Sequence, residues 1–244
     1  MTALNTIIPV AVPTAPVGVP AASPAWGETV RFAPARRAEA DKVSCLTNQI
    51  FQLVSRSLDG PKGIDPASFI AAFGALAGYS ARWIVHRQIA AGHLADDFAT
   101  PRGIRRPGVV VSAHVDRHVH DMTGPSFAST FVPCMLASGA DWLPQVNAMI
   151  QHNFMAIDSP RYPDYTVADR FIPQIPPQTL LMMLWQSTVT CLQATEGAET
   201  LAQAALAEAA VKAAKMYAGK VPLAVSGQLA LETAIAMSKL DYGF

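Results

Sequence analysis

The chain has 244 residues, of which 51% are hydrophobic and 15% are charged, and its formal net charge at pH 7 is zero. This length is ample for a full hydrophobic core. The neutral charge argues against a function as a nucleic-acid-binding protein, because such proteins use a strongly basic surface to bind phosphates. The three cysteines are far apart and match no disulfide or zinc spacing, which favours free thiols in a reducing compartment. We therefore predict a cytoplasmic globular protein without a nucleic-acid partner.

Residues 1–27 differ from the rest because prolines at positions 9, 13, 16, 20 and 24 interrupt a segment without charge. Repeated proline prevents helix formation. The pattern predicts a flexible Pro/Ala/Val-rich arm over 1–27, followed by a single α-helical domain over 28–244. Apolar side chains such as Ile7, Ile8 and Trp26 suit an arm that contacts a partner subunit or a membrane surface. The alternative is a disordered tail.

Two helices are predicted next. Apolar residues at three-and-four spacing indicate an amphipathic helix over 35–58, which should pair with the following one. That second helix begins at Asp65, a capping residue, and Pro66, and it carries no charge from Ala67 to Ala81. An uncharged, Ala/Gly-rich helix must be covered on all sides, so we expect it at the centre of the fold. Its sixteen residues before Arg82 are fewer than the roughly 20 of a membrane span, so we predict none.

The segment 101–108 contains three arginines between prolines, Arg102, Arg105 and Arg106. A guanidinium group matches phosphate and carboxylate geometry, so this loop is a candidate anion site. The alternative is a solvated loop without a ligand.

Residues 109–121, VVVSAHVDRHVHD, hold half of the six histidines. As a strand, the segment would place His114, Asp116 and His118 on one side. As a helix capped by Ser112, it would align His114, His118 and Asp121 instead. Either geometry suggests a site for a divalent transition metal such as zinc, iron or nickel, with ligands from His114, Asp116, His118 and Asp121. The alternative is a polar face that packs on solvent or a subunit.

The longest irregular segment, 158–177, holds five prolines, two tyrosines and Arg161. Long structured loops often cover a binding site. We therefore consider Tyr162, Tyr165 and Arg161, with Arg105 and Arg106, as candidate ligand-binding residues in a lid. The alternative is a rigid proline-clamped crossover.

The remaining pattern predicts helices over 141–157, 177–194, 199–218 and 222–240, the last with Glu232 and Lys239 outward, and a kinked helix around Pro133. The expected fold is all-α, with about seven helices around the central one and at most one short β segment near residue 109. The favoured function is a non-enzymatic homo-oligomeric protein, such as a homodimer, that acts by interaction or small-ligand binding. The alternatives are a metal-dependent enzyme that uses the cluster at 114–121 and a peripheral membrane protein.

Overall fold

A computed structural model describes residues 34–242 of the chain. Eight α-helices account for most of this part: α1 (Pro34–Leu58), α2 (Pro66–Ala90), α3 (Ala113–His120), α4 (Phe127–Ala137), α5 (Val146–Ala156), α6 (Pro177–Gln193), α7 (Ala198–Met216) and α8 (Leu223–Ser238). The described part contains no strand, only isolated bridges from Ala99 to Val111 and from Val109 to Leu240. The all-α class is confirmed, whereas the predicted arm over 1–27 lies outside the described residues and the 28–244 domain stays a prediction.

Helix α2 lies at the centre, as its charge-free sequence predicted. The Asp65 side chain accepts a hydrogen bond from the Ser68 N–H, and nearly every residue from Ala67 to Val85 is buried. Its main partner is α8. A Cβ added at Gly74 would lie 2.3 Å from the Ala230 carbonyl oxygen, so glycine is what permits this close approach. The two helices therefore cross with their backbones in direct contact.

Helix α2 is also the helix of residues 34–242 that is long and apolar enough to cross a membrane by length and composition. Of its most apolar window, 94% is buried inside the protein. Helix α1, predicted to pair with α2, packs chiefly on α6 and α7. It reaches α2 through the Phe51 ring, whose centre lies 5.4 Å from that of Phe69 and 5.7 Å from that of Phe73.

The segment near residue 113 is helical rather than extended. The Ser112 hydroxyl accepts a hydrogen bond from the Val115 N–H at 3.1 Å, which is the cap of the helical alternative. Val115 and Val119 are buried against the core. The side chains of this short helix therefore follow helical spacing. Side chains that are separated by two positions in the sequence point in different directions.

The outward placement predicted for Glu232 and Lys239 is wrong. Glu232 is 0% exposed, and Lys239 is 6% exposed and forms an ion pair with Asp116. Helix α8 contacts α2, α3 and α5, so its polar positions meet other parts of the protein instead of solvent. Helix α5 likewise begins at Val146 rather than at Asp141.

The long loop before α6 is attached along α8. The Tyr162 hydroxyl donates to the Ala236 carbonyl oxygen at 2.9 Å, and the Tyr165 hydroxyl lies 3.1 Å from Thr233 Oγ1. Thr166 donates through its N–H and its hydroxyl to the Glu232 carboxylate. This loop segment, 162–166, therefore forms a fixed wall beside α8, and a cavity lies on each side of it.

Candidate functional site

The first cavity brings together four of the five candidate ligand-binding residues. Arg106, Arg161, Tyr162 and Tyr165 line a crevice of about 340 Å³, which we call the Arg–Tyr crevice. Its other walls are apolar or neutral and are formed by Pro160, Pro163, Ile172, Pro173, Pro176, Pro177 and Gln178. The fifth candidate, Arg105, lines an adjoining open depression with Asp158. The structure thus places residues from the 101–108 and 158–177 loops side by side.

The two arginines of the crevice are held differently. Arg106 Nη1 donates to the carbonyl oxygens of Ile157 at 3.3 Å and Ser159 at 3.1 Å, and its guanidinium lies 5.1 Å from the centre of the Tyr162 ring. The Arg161 side chain has no hydrogen bond or ion pair with any residue in 34–242. Arg106 is therefore fixed in place, whereas the guanidinium of Arg161 is available to a ligand.

The charge of the crevice is unbalanced. Among the described residues that line it, two are arginines and none is acidic. The tyrosine hydroxyls are engaged with α8, and burial raises the pKa of both Tyr162 and Tyr165, so they stay neutral. The amide of Gln178 donates to the Tyr162 carbonyl oxygen at 2.8 Å. The groups left for a ligand are mainly N–H donors with positive charge, which suits an anion.

The predicted metal cluster is divided by the helical geometry of α3. His114, His118 and Asp121 line one cavity of about 210 Å³, whereas Asp116 faces Lys239 and lies 3.6 Å from His120 Nε2. The Asp121 carboxylate accepts hydrogen bonds from the N–H and the hydroxyl of Thr123, at 2.8 and 2.7 Å. Within residues 34–242, no group of three or more His, Cys, Asp and Glu side chains is arranged to hold a metal ion. The metal hypothesis stays a prediction that this geometry does not support.

Ionisation in this region follows burial and local charge. Burial lowers the pKa of His118, and the charge of His114 lowers it further. For Asp116, burial raises the pKa, but the neighbouring His120 ring and the charge of Lys239 outweigh it, and the net shift is downward. His118 is therefore favoured as a neutral ring, and Asp116 as a carboxylate paired with Lys239.

The second cavity, on the other side of the 162–166 wall, was not predicted. It has a volume of about 430 Å³, and we call it the Glu232 cavity. It is lined by Trp142, Leu143, Gln145, Ala148, Met149, His152, Thr166, Gln228 and Glu232. One signal in the sequence was available, since Glu232 is the single charged residue between Lys220 and Lys239. A helix as apolar as this one is largely covered by the rest of the protein, so its single carboxyl group is expected in or beside the core.

Comparison with known proteins gives no relative from which a function can be transferred. No family model, no curated protein and no solved structure matches the chain.

Proposed function

We propose that this protein binds a small organic anion, a carboxylate or phosphate ester with an apolar body, in the Arg–Tyr crevice. The observation that carries the proposal is the unbalanced positive charge of the crevice beside the free guanidinium of Arg161. The proline and isoleucine walls provide apolar surface for the rest of the ligand. The crevice volume of about 340 Å³ lies within the range of small-ligand sites.

The attachment of the loop supports binding without catalysis. Hydrogen bonds from Tyr162, Tyr165 and Thr166 to α8 hold the wall of the crevice in place before a ligand arrives. A preformed site does not lose binding free energy to ordering its own loop. The tyrosine hydroxyls are also engaged with protein groups, so they are poorly placed for proton transfer to a ligand.

Calorimetric titration with benzoate and phenyl phosphate tests the proposal, with neutral benzamide as the matched control ligand. Replacement Arg161→Gln removes the free charge and one set of donors. A charge-assisted hydrogen bond contributes about 1.5–3 kcal/mol, so we expect roughly tenfold to hundredfold weaker anion binding. Arg102→Gln is the control variant, since Arg102 belongs to the same arginine loop but does not line the crevice. Equal affinity of Arg161→Gln and the unsubstituted protein, or equal binding of benzamide and benzoate, would refute the proposal.

The homo-oligomeric state and the cytoplasmic location, which we propose as well, and the two alternative functions have separate tests. Light scattering tests the homo-oligomeric state, and cell fractionation tests the cytoplasmic location. For the metal-dependent enzyme, analysis of tag-free protein that finds no bound or rebinding transition metal would dispose of the alternative. The alternative of a peripheral membrane protein would be rejected if all the protein stays in the soluble fraction after flotation with liposomes.

A further inference from the structure

The Glu232 cavity contains a polar network whose hydrogen bonds can be followed atom by atom. Trp142 Nε1 donates to Gln228 Oε1 at 3.1 Å. An indole N–H can only donate, so the Gln228 atom that it meets is the oxygen and the other atom is the amide nitrogen. That nitrogen donates to Thr166 Oγ1 at 2.8 Å and to Glu232 Oε1 at 2.7 Å. Both amide hydrogens of Gln228 are therefore engaged.

Thr166 completes the network. Its N–H donates to Glu232 Oε2 at 3.1 Å, and its hydroxyl donates to Glu232 Oε1. The indole N–H of Trp142, the N–H and hydroxyl of Thr166 and both amide hydrogens of Gln228 thus each donate to another residue of the network. The unused capacity consists of lone pairs, on Gln228 Oε1, Thr166 Oγ1 and Glu232 Oε2.

His152, which also lines the cavity, adds a further lone pair. Its Nε2 lies 2.9 Å from the carbonyl oxygen of Asp164. A carbonyl oxygen only accepts, so Nε2 carries the hydrogen, and in the neutral ring Nδ1 is an acceptor.

Among residues 34–242, Glu232 forms no ion pair, and the one other ionisable side chain that lines its cavity is His152. No Lys or Arg of residues 34–242 lines this cavity, and the hydrogen-bond donors that reach the carboxyl are neutral. Burial raises the pKa of Glu232, while the hydrogen bonds of Thr166 and Gln228 and the charge of His152 oppose the rise. Buried carboxylates are usually paired with a cation. This one is 0% exposed and is covered on the cavity side by Thr166 and Gln228.

We propose that the Glu232 cavity binds a small organic ammonium ion, at a site separate from the Arg–Tyr crevice. The ammonium group donates to Thr166 Oγ1 and Gln228 Oε1, with the negative charge of Glu232 directly behind them. The apolar part of the ligand packs on Trp142, Leu143 and Met149, which line the same cavity. A cation with several N–H donors complements a wall that offers lone pairs and negative charge, and an indole ring also attracts cations.

Calorimetric titration with 2-phenylethylammonium tests this proposal, with 2-phenylethanol as the neutral ligand of matched shape. We expect one ammonium ion to bind per chain and the alcohol to bind at least tenfold more weakly. Glu232→Gln removes the charge and should weaken ammonium binding at least tenfold. Glu208→Gln is the matched control, because Glu208 accepts a hydrogen bond from Thr47 on another face and should leave the affinity unchanged.

A second variant keeps the test decisive if Glu232→Gln does not fold. Ala148→Phe fills the cavity from an exposed position on α5 that lies outside the polar network, and it should abolish binding. Arg161→Gln should bind the ammonium ion normally, which separates this proposal from that for the crevice. Undetectable binding at millimolar ligand, equal binding of the alcohol, or unchanged affinity in Ala148→Phe would each overturn the proposal.

Discussion

The close contact of α2 and α8 predicts that Gly78→Ala is strongly destabilising. The added Cβ would lie 2.2 Å from the Ala234 carbonyl oxygen and 2.9 Å from the Ser238 nitrogen. Ordinary carbon–oxygen contacts begin at about 3.3 Å, so the two backbones must separate by about 1 Å. All these atoms of α8 belong to the main chain, so no side-chain rotation can relieve the contact.

The size of the effect follows from two opposing contributions. Overpacking of a core costs about 1–3 kcal/mol, and a clash with backbone falls at or above the upper end. Alanine gains about 1 kcal/mol over glycine in helix propensity, which offsets part of the cost. We therefore expect a net loss of about 2 kcal/mol or more in the free energy of unfolding, or roughly 4–8 °C in Tm.

Urea unfolding followed by circular dichroism at 222 nm measures this loss. The control is Gly60→Ala, because a Cβ at Gly60 meets no atom of residues 34–242 within 4 Å. That variant should be neutral or more stable by about 0.4–1 kcal/mol, since it only restricts the unfolded chain. A midpoint for Gly78→Ala equal to or above that of the unsubstituted protein would refute the assignment of the α2–α8 contact.

Three further predictions concern buried charge. Lys239→Met leaves Asp116 without its ion-pair partner and should cost about 3 kcal/mol in urea unfolding at pH 7; a change below about 0.5 kcal/mol would contradict the pairing. The pKa of His118 lies below its ordinary value of 6.5, so the unfolded chain binds more protons there and stability should fall as pH drops below 6.5; thermal melts should show a shallower fall for His118→Gln. The pKa of Glu232 lies above its ordinary value of 4.5, so the folded chain binds more protons and stability should decline as pH rises from 4.5 through the folded pKa. Melts of Glu232→Gln should lack that decline, and an identical pH profile would show that the carboxyl is not buried.

Local features of the sequence were sufficient to predict most of the helices and the centre of the fold, whereas residues 109–121 were left open between a strand and a helix. A helix without charged residues, such as the one after Pro66, must be buried on every side in a globular protein. Helix α2 is buried in this way. Of the two alternatives for residues 109–121, the helical one had Ser112 as its cap, and the Ser112 hydroxyl does satisfy an N–H at the first turn of α3. Both features depend on residues within a few positions of each other.

The second cavity could not be predicted because it depends on which helices meet. The outward placement of Glu232 assumed that α8 has one buried face, whereas helices on several sides, among them α2, α3 and α5, and the loop at Thr166 contact α8. Asp116 is separated from the other predicted metal ligands for a related reason, since it lies two residues from His114 and His118 and a helix turns it toward Lys239. Periodicity gives the faces of a helix but not the number of neighbours on them.

The pairing of Gly74 with Ala230 also has a consequence for biosynthesis. These positions are about 150 residues apart, and such non-local contacts form slowly because a long loop must close first. Until residue 238 has left the ribosome, α8 cannot cover the glycine face of α2. During this time the nascent chain exposes an apolar helix face that other chains can contact. Recognition of that face by a chaperone would protect the newborn polypeptide from aggregation during this interval.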